Sequence, residues 1–429
     1  MREMKDSGIE WVGIIPKSWN ISRLKYIAKF FNGDRGKNYP SGEDLVDDGI
    51  AFLTSNNIHG IVLDCSQEKS KFITEERYNR LGGAKIQLND IAFCLRGSVG
   101  NCAINKTLTK GTVASSLMII RPIKASPDFI NYVLQTDVCD VQTIKAMNGS
   151  CAANLSAENV SNYYFVEPPI AEQKKITIFL DSKCSEIDAI SADIQKEIKT
   201  LEQYKRSVIT EAVTKGLNPD AEMKDSGIEW VGNIPVHWDV RPLYYYFAER
   251  KKKNYLGQEQ NLLSLSYGKV IRKDINTSEG LLPDSFNGYN IIEPGDIVLR
   301  LTDLQNDKRS LRTGLVKEHG IITSAYVTLQ AAKEVVPEYF HYLLHAYDVM
   351  KVLYNMGNGV RQGLNYSELS KMHIVAPPID EQKNIAAYLD AKCKEIESII
   401  ESKKQQLTVI DSYKKSLIYE YVTGKKEVI

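Results

Sequence analysis

From Leu180 onward, one set of positions stays mostly apolar while its neighbours are polar. Leu180, Cys184, Ile187, Ser191, Ile194, Ile198, Leu201, Lys205, Val208 and Ala212 follow one another in alternating steps of four and three. This spacing predicts a helix with an a/d heptad seam. The stretch opens Pro168-Pro169-Ile170-Ala171-Glu172-Gln173-Lys174 and then runs without Gly or Pro to Gly216. A helix of about 45 residues would be roughly 67 Å long. A single stripe of that length needs a partner helix to cover it.

The same chain supplies the partner. Pro377-Pro378-Ile379-Asp380-Glu381-Gln382-Lys383 repeats the opening 209 positions later (168 to 377). That offset carries the seam onto Leu389, Cys393, Ile396, Ile400, Lys403, Leu407, Ile410, Lys414, Leu417 and Tyr421. Lys205 and Lys414 fall at equivalent seam positions, where a lysine can fix register or reach out to a carboxylate.

The repeat extends beyond the helices. Met4-Lys5-Asp6-Ser7-Gly8-Ile9-Glu10-Trp11-Val12-Gly13 is identical to Met223 through Gly232, and each copy continues through Ile-Pro to Trp19 or Trp238. Ten identical residues at a period of half the chain mean a duplicated domain. These tryptophans read as parts of a segment docked on a neighbouring helix end. The helix ends imply that Thr423-Gly424-Lys425 lies near Met4-Lys5, as Gly216 lies near Met223.

Between these landmarks the pattern is mixed. Ile50–Leu53, Ile61–Leu63 and Leu117–Ile120 read as short strands, and Asp90–Gly100 as a strand running into a glycine turn. A helix is expected over Asp128–Asp140, after Pro127. In the second copy, Pro294–Arg300, Ile321–Val327 and the stretch after Pro337 follow the same order. Leu155 and Leu364 stand at the same distance from their Pro-Pro pairs.

The expected fold class is therefore α/β. Two mixed α/β domains, 1–167 and 218–376, are separated by long helices at 168–217 and 377–429. The helices form an antiparallel two-helix coiled-coil stalk with an internal pseudo-two-fold repeat.

Composition excludes some functions. The 54 Lys and Arg balance 54 Asp and Glu, so no global basic field points to nucleic acid, and DNA affinity would come from local patches or partners. The first residues lack an apolar leader core and no run of eighteen apolar residues occurs, which reads as a cytoplasmic protein without a membrane span. Seven scattered Cys, with no C-x-x-C pair, read as reduced thiols.

No catalytic motif emerges. There is no G-x-x-x-x-G-K-[ST] phosphate loop and no G-x-G-x-x-G after a strand. Glu167-Pro168-Pro169-Ile170 and Ala376-Pro377-Pro378-Ile379 lack the Asn or Asp and the aromatic of amino-methyltransferase tetrapeptides, and read as helix starts. His341 and His345 are four apart on an expected helix, without a third metal ligand.

Candidate DNA contacts are local. Arg35, Lys37, Asn38 and Arg96 are the candidates in the first domain. Arg250, Lys251, Lys252, Lys253, Lys269, Arg272, Arg300, Arg312, Arg361 and Gln362 are those in the second. Arg can read guanine, and Asn or Gln adenine, so loops rich in them can specify bases.

The whole arrangement resembles the specificity subunit of type I restriction–modification systems. The resemblance rests on the Ile-Pro-x-x-Trp segments, the Pro-Pro-x-x-Glu-Gln helix starts, Leu-Asp-x-Lys-Cys at Leu180–Cys184 and Leu389–Cys393, and the two helix tails. It implies a non-catalytic chain that recognises a bipartite, asymmetric site in double-stranded DNA, one half per domain. It also implies two methyltransferase subunits docked on the helices, with restriction and motor subunits joining the full complex. No cofactor is expected in this chain, since S-adenosylmethionine, ATP and Mg would belong to those partners. Cys151-Ala152-Ala153-Asn154-Leu155 departs from Arg361-Gln362-Gly363-Leu364 of the second copy. Other readings are a non-catalytic coiled-coil adaptor and the DNA-binding part of another methyltransferase assembly. A self-sufficient methyltransferase would need a cofactor-binding unit that the sequence lacks.

Overall fold

A computed structural model describes residues 2–147, 155–276, 285–304, 311–356 and 363–428. Its contacts divide the chain into two compact units, Met1–Ile194 with Gln405–Ile429, and Gln195–Lys404. The helices expected from the heptads run over Ile170–Lys215 and Ile379–Val422. Each is shared between the units, because each end packs into a different globular core. The compact units therefore differ from the boundaries drawn on sequence.

Both units contain a four-stranded antiparallel sheet of one topology. In the first, the strand order is Ala28–Asn32, Leu117–Pro122, Ile91–Cys94, Cys102–Ile104. In the second it is Phe247–Glu249, Val327–Ala331, Ile297–Leu299, Thr313–Leu315. The central strands are buried on both faces, as their continuous apolar runs require.

Differences lie at the periphery. The first unit adds a mixed sheet in which Ile50–Leu53 pairs in parallel with Gly111–Val113. The second instead has a hairpin, Leu263–Ser266 with Lys269–Arg272, and a pair, Asn290–Ile292 with Gly320–Ile322.

Two expectations need correction. Ile61–Leu63 makes only a bridge, Val62 with Ile104, because the chain turns away at Asp64, whose amide bonds the Asn57 carbonyl. The helix expected over Asp128–Asp140 is broken into Pro127–Leu134 and Asp137–Met147. Thr136 starts the second piece, its carbonyl accepting from the amides of Cys139 and Asp140. The second unit keeps one helix there, Pro337–Val349.

The Pro-Pro-x-x-Glu-Gln sequence organises each unit. Asn20–Arg23 pairs with Tyr164–Glu167, the strand that leads into Pro168. Asp239–Pro242 pairs with His373–Ala376 in the same way. This pairing brings each leading tryptophan to the start of the helix. Trp19 is fully buried and its indole Nε1 donates to Glu172 at 2.7 Å. Trp238, also fully buried, donates to Glu381 at 3.1 Å.

The adjacent glutamine ties down a second element. Gln173 Nε2 donates to the Pro168 carbonyl, and its Oε1 accepts from the Ser126 amide at 2.8 Å. Gln382 bonds the Pro377 carbonyl and the Val336 amide in the same way. Ser126 and Val336 immediately precede the Pro127 and Pro337 helices. Tyr132 and Tyr342 complete the bracket by donating to Asp181 and Asp390, each at 2.7 Å.

The end of the other long helix closes each cluster. Gly424 adopts φ +71°, and a Cβ there would lie 2.5 Å from Pro16 and 3.0 Å from Trp19. Gly216 adopts φ +76° and faces Trp238 and Glu381. Lys425 Nζ donates to the Val12 carbonyl at 3.0 Å, so the last residues lie against the first segment.

Along the seam, all twenty positions named above are buried or half-buried. Between Asp188 and Tyr204 the only residues not exposed are Ser191, Ile194, Ile198 and Leu201. Ile187 and Val208 flank them, and Leu389, Ile396, Leu407, Ile410 and Leu417 face inward on the other helix. Within the first unit, Phe179 meets Tyr421 at 4.4 Å and Lys414 pairs with Asp188 at 2.6 Å, so the two helix segments run antiparallel. Within the second, Lys205 pairs with Glu397 and Lys403 with Glu197, again antiparallel. The seam lysines therefore reach carboxylates on the facing helix.

Trp238→Phe removes the indole donor and leaves Glu381 without that bond. It should lower stability by roughly 1.5–3 kcal/mol, the range for hydrogen bonds to charged groups, read by urea unfolding. Trp11→Phe is the control, because the Trp11 indole N–H has no hydrogen-bond partner among the described residues, and should cost less.

Candidate nucleic-acid interface

In the first unit, Arg35, Lys37 and Asn38 share the loop that leaves the edge strand Ala28–Asn32. Arg35 and Lys37 are exposed and Asn38 is half-buried. The loop is braced from below. Asp34 accepts from the amides of Gly82 and Gly83, at 2.7 and 3.1 Å. Gly33 packs so closely that a Cβ would lie 2.2 Å from the Ala114 carbonyl oxygen. A turn closed by Tyr39 N–H to the Gly36 carbonyl holds Lys37 and Asn38 at its centre. Two cation or amide donors are thus presented on fixed backbone. Arg96 is half-buried on a separate turn, after the strand Ile91–Cys94.

In the second unit, Lys251, Lys252 and Lys253 leave the equivalent edge strand, Phe247–Glu249. Lys251 is exposed and pairs with Glu249 at 2.8 Å, and Lys252 is exposed. Lys253 is half-buried, its Nζ donating to the Gly288 carbonyl. Arg300 is half-buried at the end of the central strand. Arg361 and Gln362 lie outside the described residues.

Two candidates, Arg312 and Arg250, are structural instead. Arg312 is completely buried. Its guanidinium donates to the carbonyls of Arg300, Thr302, Asp303 and Leu304, and its amide donates to Asp348 at 2.7 Å. It staples the loop after the central strand and has no surface to offer DNA. Arg250 is held by Asp296 at 2.5 Å, the aspartate at the base of the same strand. Arg272 and Lys269 stay on the surface, Arg272 bonding Glu318 at 2.6 Å through Nε. Lys269 lies 3.9 Å from Glu397.

Sequence reading overlooked the glutamate and glutamine of each helix start as fastening points. The signal was present, since both recur unchanged in the two copies while the loops do not. It also passed over Tyr255 and Leu256, two of the three most exposed large apolar side chains among the described residues.

His341 and His345 face a cleft of about 400 Å³ that is also lined by Lys205, Tyr267 and Lys269. Burial pushes the pKa of His341 down to about 3 and that of His345 down to about 4, with neighbouring cations adding to the effect. No group of three or more His, Cys, Asp or Glu able to hold a metal occurs among the described residues. The six described cysteines are free, and no helix among these residues is long and apolar enough to cross a membrane.

Comparison with known proteins adds a family. The profile of the type I restriction modification DNA specificity domain matches residues 16–200 and 283–409. A protein of Methanocaldococcus jannaschii described as the type I restriction enzyme MjaX specificity subunit is 23% identical, over 97% of this chain and 96% of its own. The Escherichia coli type I restriction enzyme EcoKI specificity subunit is 18% identical, over 96% of this chain and 90% of its own. A solved chain from a type I R-M system superposes with a TM-score of 0.68 at 14% identity, covering 96% of this chain and 99% of that one.

Two outcomes follow from the buried groups. Arg312→Met leaves Asp348 buried without its cation and should cost roughly 3–5 kcal/mol, whereas Lys252→Ala should stay within about 0.5 kcal/mol, both by urea unfolding. The histidines bind protons in the unfolded chain near pH 6.5 but resist them when folded. Stability of the second unit should therefore fall as pH drops from about 6.5 toward 4. The first copy has Asn131 and Gln135 at these places. His341→Asn with His345→Gln should flatten that dependence by up to about 1.4 kcal/mol per pH unit per histidine, measured by unfolding at several pH values.

Proposed function

The chain belongs to the type I restriction modification DNA specificity family and is the DNA-recognition subunit of a type I restriction–modification complex, and we propose that its two globular parts read two different half-sites. The domains at 1–167 and 218–376 each read one half of a bipartite, asymmetric target in double-stranded DNA. The helices at 168–217 and 377–429 form a coiled-coil spacer that also docks two methyltransferase subunits. Restriction and motor subunits join the larger assembly. The chain is non-catalytic by itself, and S-adenosylmethionine, ATP and Mg act in the partners.

One observation carries the reading. The central sheet and the Trp–Glu–Gln fastening are the same in both copies, down to the hydrogen bonds. The loops leaving equivalent strands differ in chemistry, with Lys37 and Asn38 at the centre of one turn and Tyr255 and Leu256 at the centre of the other. A scaffold held constant under loops that vary is what two readers of different sequences require. A coiled-coil adaptor without a DNA role would not need rigid loops that present cations and amides to solvent.

The test is a domain exchange. Residues 20–167 are replaced by the equivalent part of a relative, and the chain is produced with its methyltransferase partner. Sequencing of methylated genomic DNA should show one half of the motif changed and the other half retained. Change in both halves would defeat the modular reading.

A further inference from the structure

The turn Asn254–Gly257 is built to hold two large apolar side chains in water. Gly257 N–H donates to the Asn254 carbonyl at 2.9 Å, which places Tyr255 and Leu256 at its two central positions. Such positions ordinarily carry Gly, Pro, Asn, Asp or Ser. Tyr255 is 75% exposed and Leu256 is 79% exposed. Single exposed apolar residues are common and need no explanation. Two adjacent ones on a braced tip are different.

The bracing is specific. Asn254 is buried, and its amide closes the loop from both ends, with Nδ2 donating to the Glu259 carbonyl at 2.9 Å and Oδ1 accepting from the Glu259 amide at 3.2 Å. Its own amide donates to the Tyr289 carbonyl. Gly257 takes φ +62°, and a Cβ there would lie 3.0 Å from Asn287 Oδ1. The backbone of the tip is therefore tied at both ends, with its two apolar side chains outward. Immediately before it stand Lys251 and Lys252, both exposed. Exposed Ser285 and Asn287 belong to the neighbouring segment.

A rigid apolar tip flanked by ammonium groups matches a polyanion whose interior is apolar and stacked. We propose that Tyr255 and Leu256 form a wedge that enters between two base pairs of the half-site read by the second unit. The proposal rests on the DNA-recognition reading and deepens it. Lys251 and Lys252 hold the flanking phosphates, while the tip unstacks one base step and kinks the duplex. Because the penalty depends on the step being opened, the wedge adds specificity at a position where it makes no base-edge hydrogen bond. The first unit has polar Lys37 and Asn38 at the corresponding turn, so the wedge acts on one half-site only.

The experiment uses the complex assembled with its methyltransferase partner. The motif is first read from methylated genomic DNA, and duplexes are then made with 2-aminopurine at successive adenines. Wild type should brighten the probe at one step of the half-site assigned to the second unit. Tyr255→Ala with Leu256→Ala should abolish that signal and weaken binding roughly 5- to 100-fold, without changing the melting temperature. Tyr255→Phe with Leu256→Met should retain both. Unchanged brightness and affinity in the alanine variant would overturn the wedge. So would loss of methyltransferase assembly with DNA contacts intact, which would make the tip a protein contact. If the wild-type complex showed no site-specific binding at all, the recognition reading itself would fall, and the wedge with it.

Discussion

Each half of this chain depends on a carboxylate in the first turn of a long helix. Glu172 and Glu381 sit where the helix dipole favours negative charge, and each accepts a hydrogen bond from the indole N–H of a buried tryptophan. The next residue, a glutamine, has its amide consumed on the chain just before the following helix and on the helix start itself. Two neighbouring side chains thus fix three elements. The leading segment, the helix after Pro127 or Pro337, and the long helix cannot shift independently. A charged hydrogen bond of this kind is worth more than a neutral one, and the tryptophan contributes a large buried apolar area.

That fastening frees the loops. The central strands of the sheet are buried on both faces and the strand order is common to both units. Segments leaving its edges keep only a few buried anchors, such as Tyr39 against Phe52 and the buried Asn254, and their exposed tips vary. In the first unit the edge loop is braced by Asp34 on glycine amides, and in the second by Asn254 on a carbonyl and an amide. Rigidity is reached by different means at the same place. A reader of DNA needs this, because a loop that must be ordered on binding spends affinity on ordering it.

Sequence and structure agree where the physics is periodic or repeated. The seam positions were legible because a helix with one apolar stripe has only one way to bury it, and the helix starts because Pro-Pro and the Glu-Gln pair recur. The mixed α/β class was legible in outline. Loop residues were not. Arg312 looked like a surface cation, since no local pattern distinguishes an arginine that caps carbonyls from one that faces solvent. Arg250 misled for the same reason, as its partner Asp296 is 46 residues away. Ile61–Leu63 had strand-like composition but only a partial neighbour to pair with. The break at Gln135 and Thr136 hinges on one carbonyl taking two amides, which no propensity records.

The middle of the seam contains one ion pair that the repeat does not reproduce. Lys205 with Glu397 and Lys414 with Asp188 are counterparts under the 209-residue offset, but Lys403 with Glu197 is not. The counterpart of Lys403 is Ile194, and that of Glu197 is Gln406. Two copies of the first helix in the same register would keep the lysine–aspartate contacts and set Glu197 against isoleucine. Two copies of the second would set Lys403 against glutamine. Only the mixed pair gains the extra contact, worth roughly 0.2–1 kcal/mol for a partly exposed bridge. After duplication, a small asymmetry of charge thus favours each helix against its diverged sibling over its own twin.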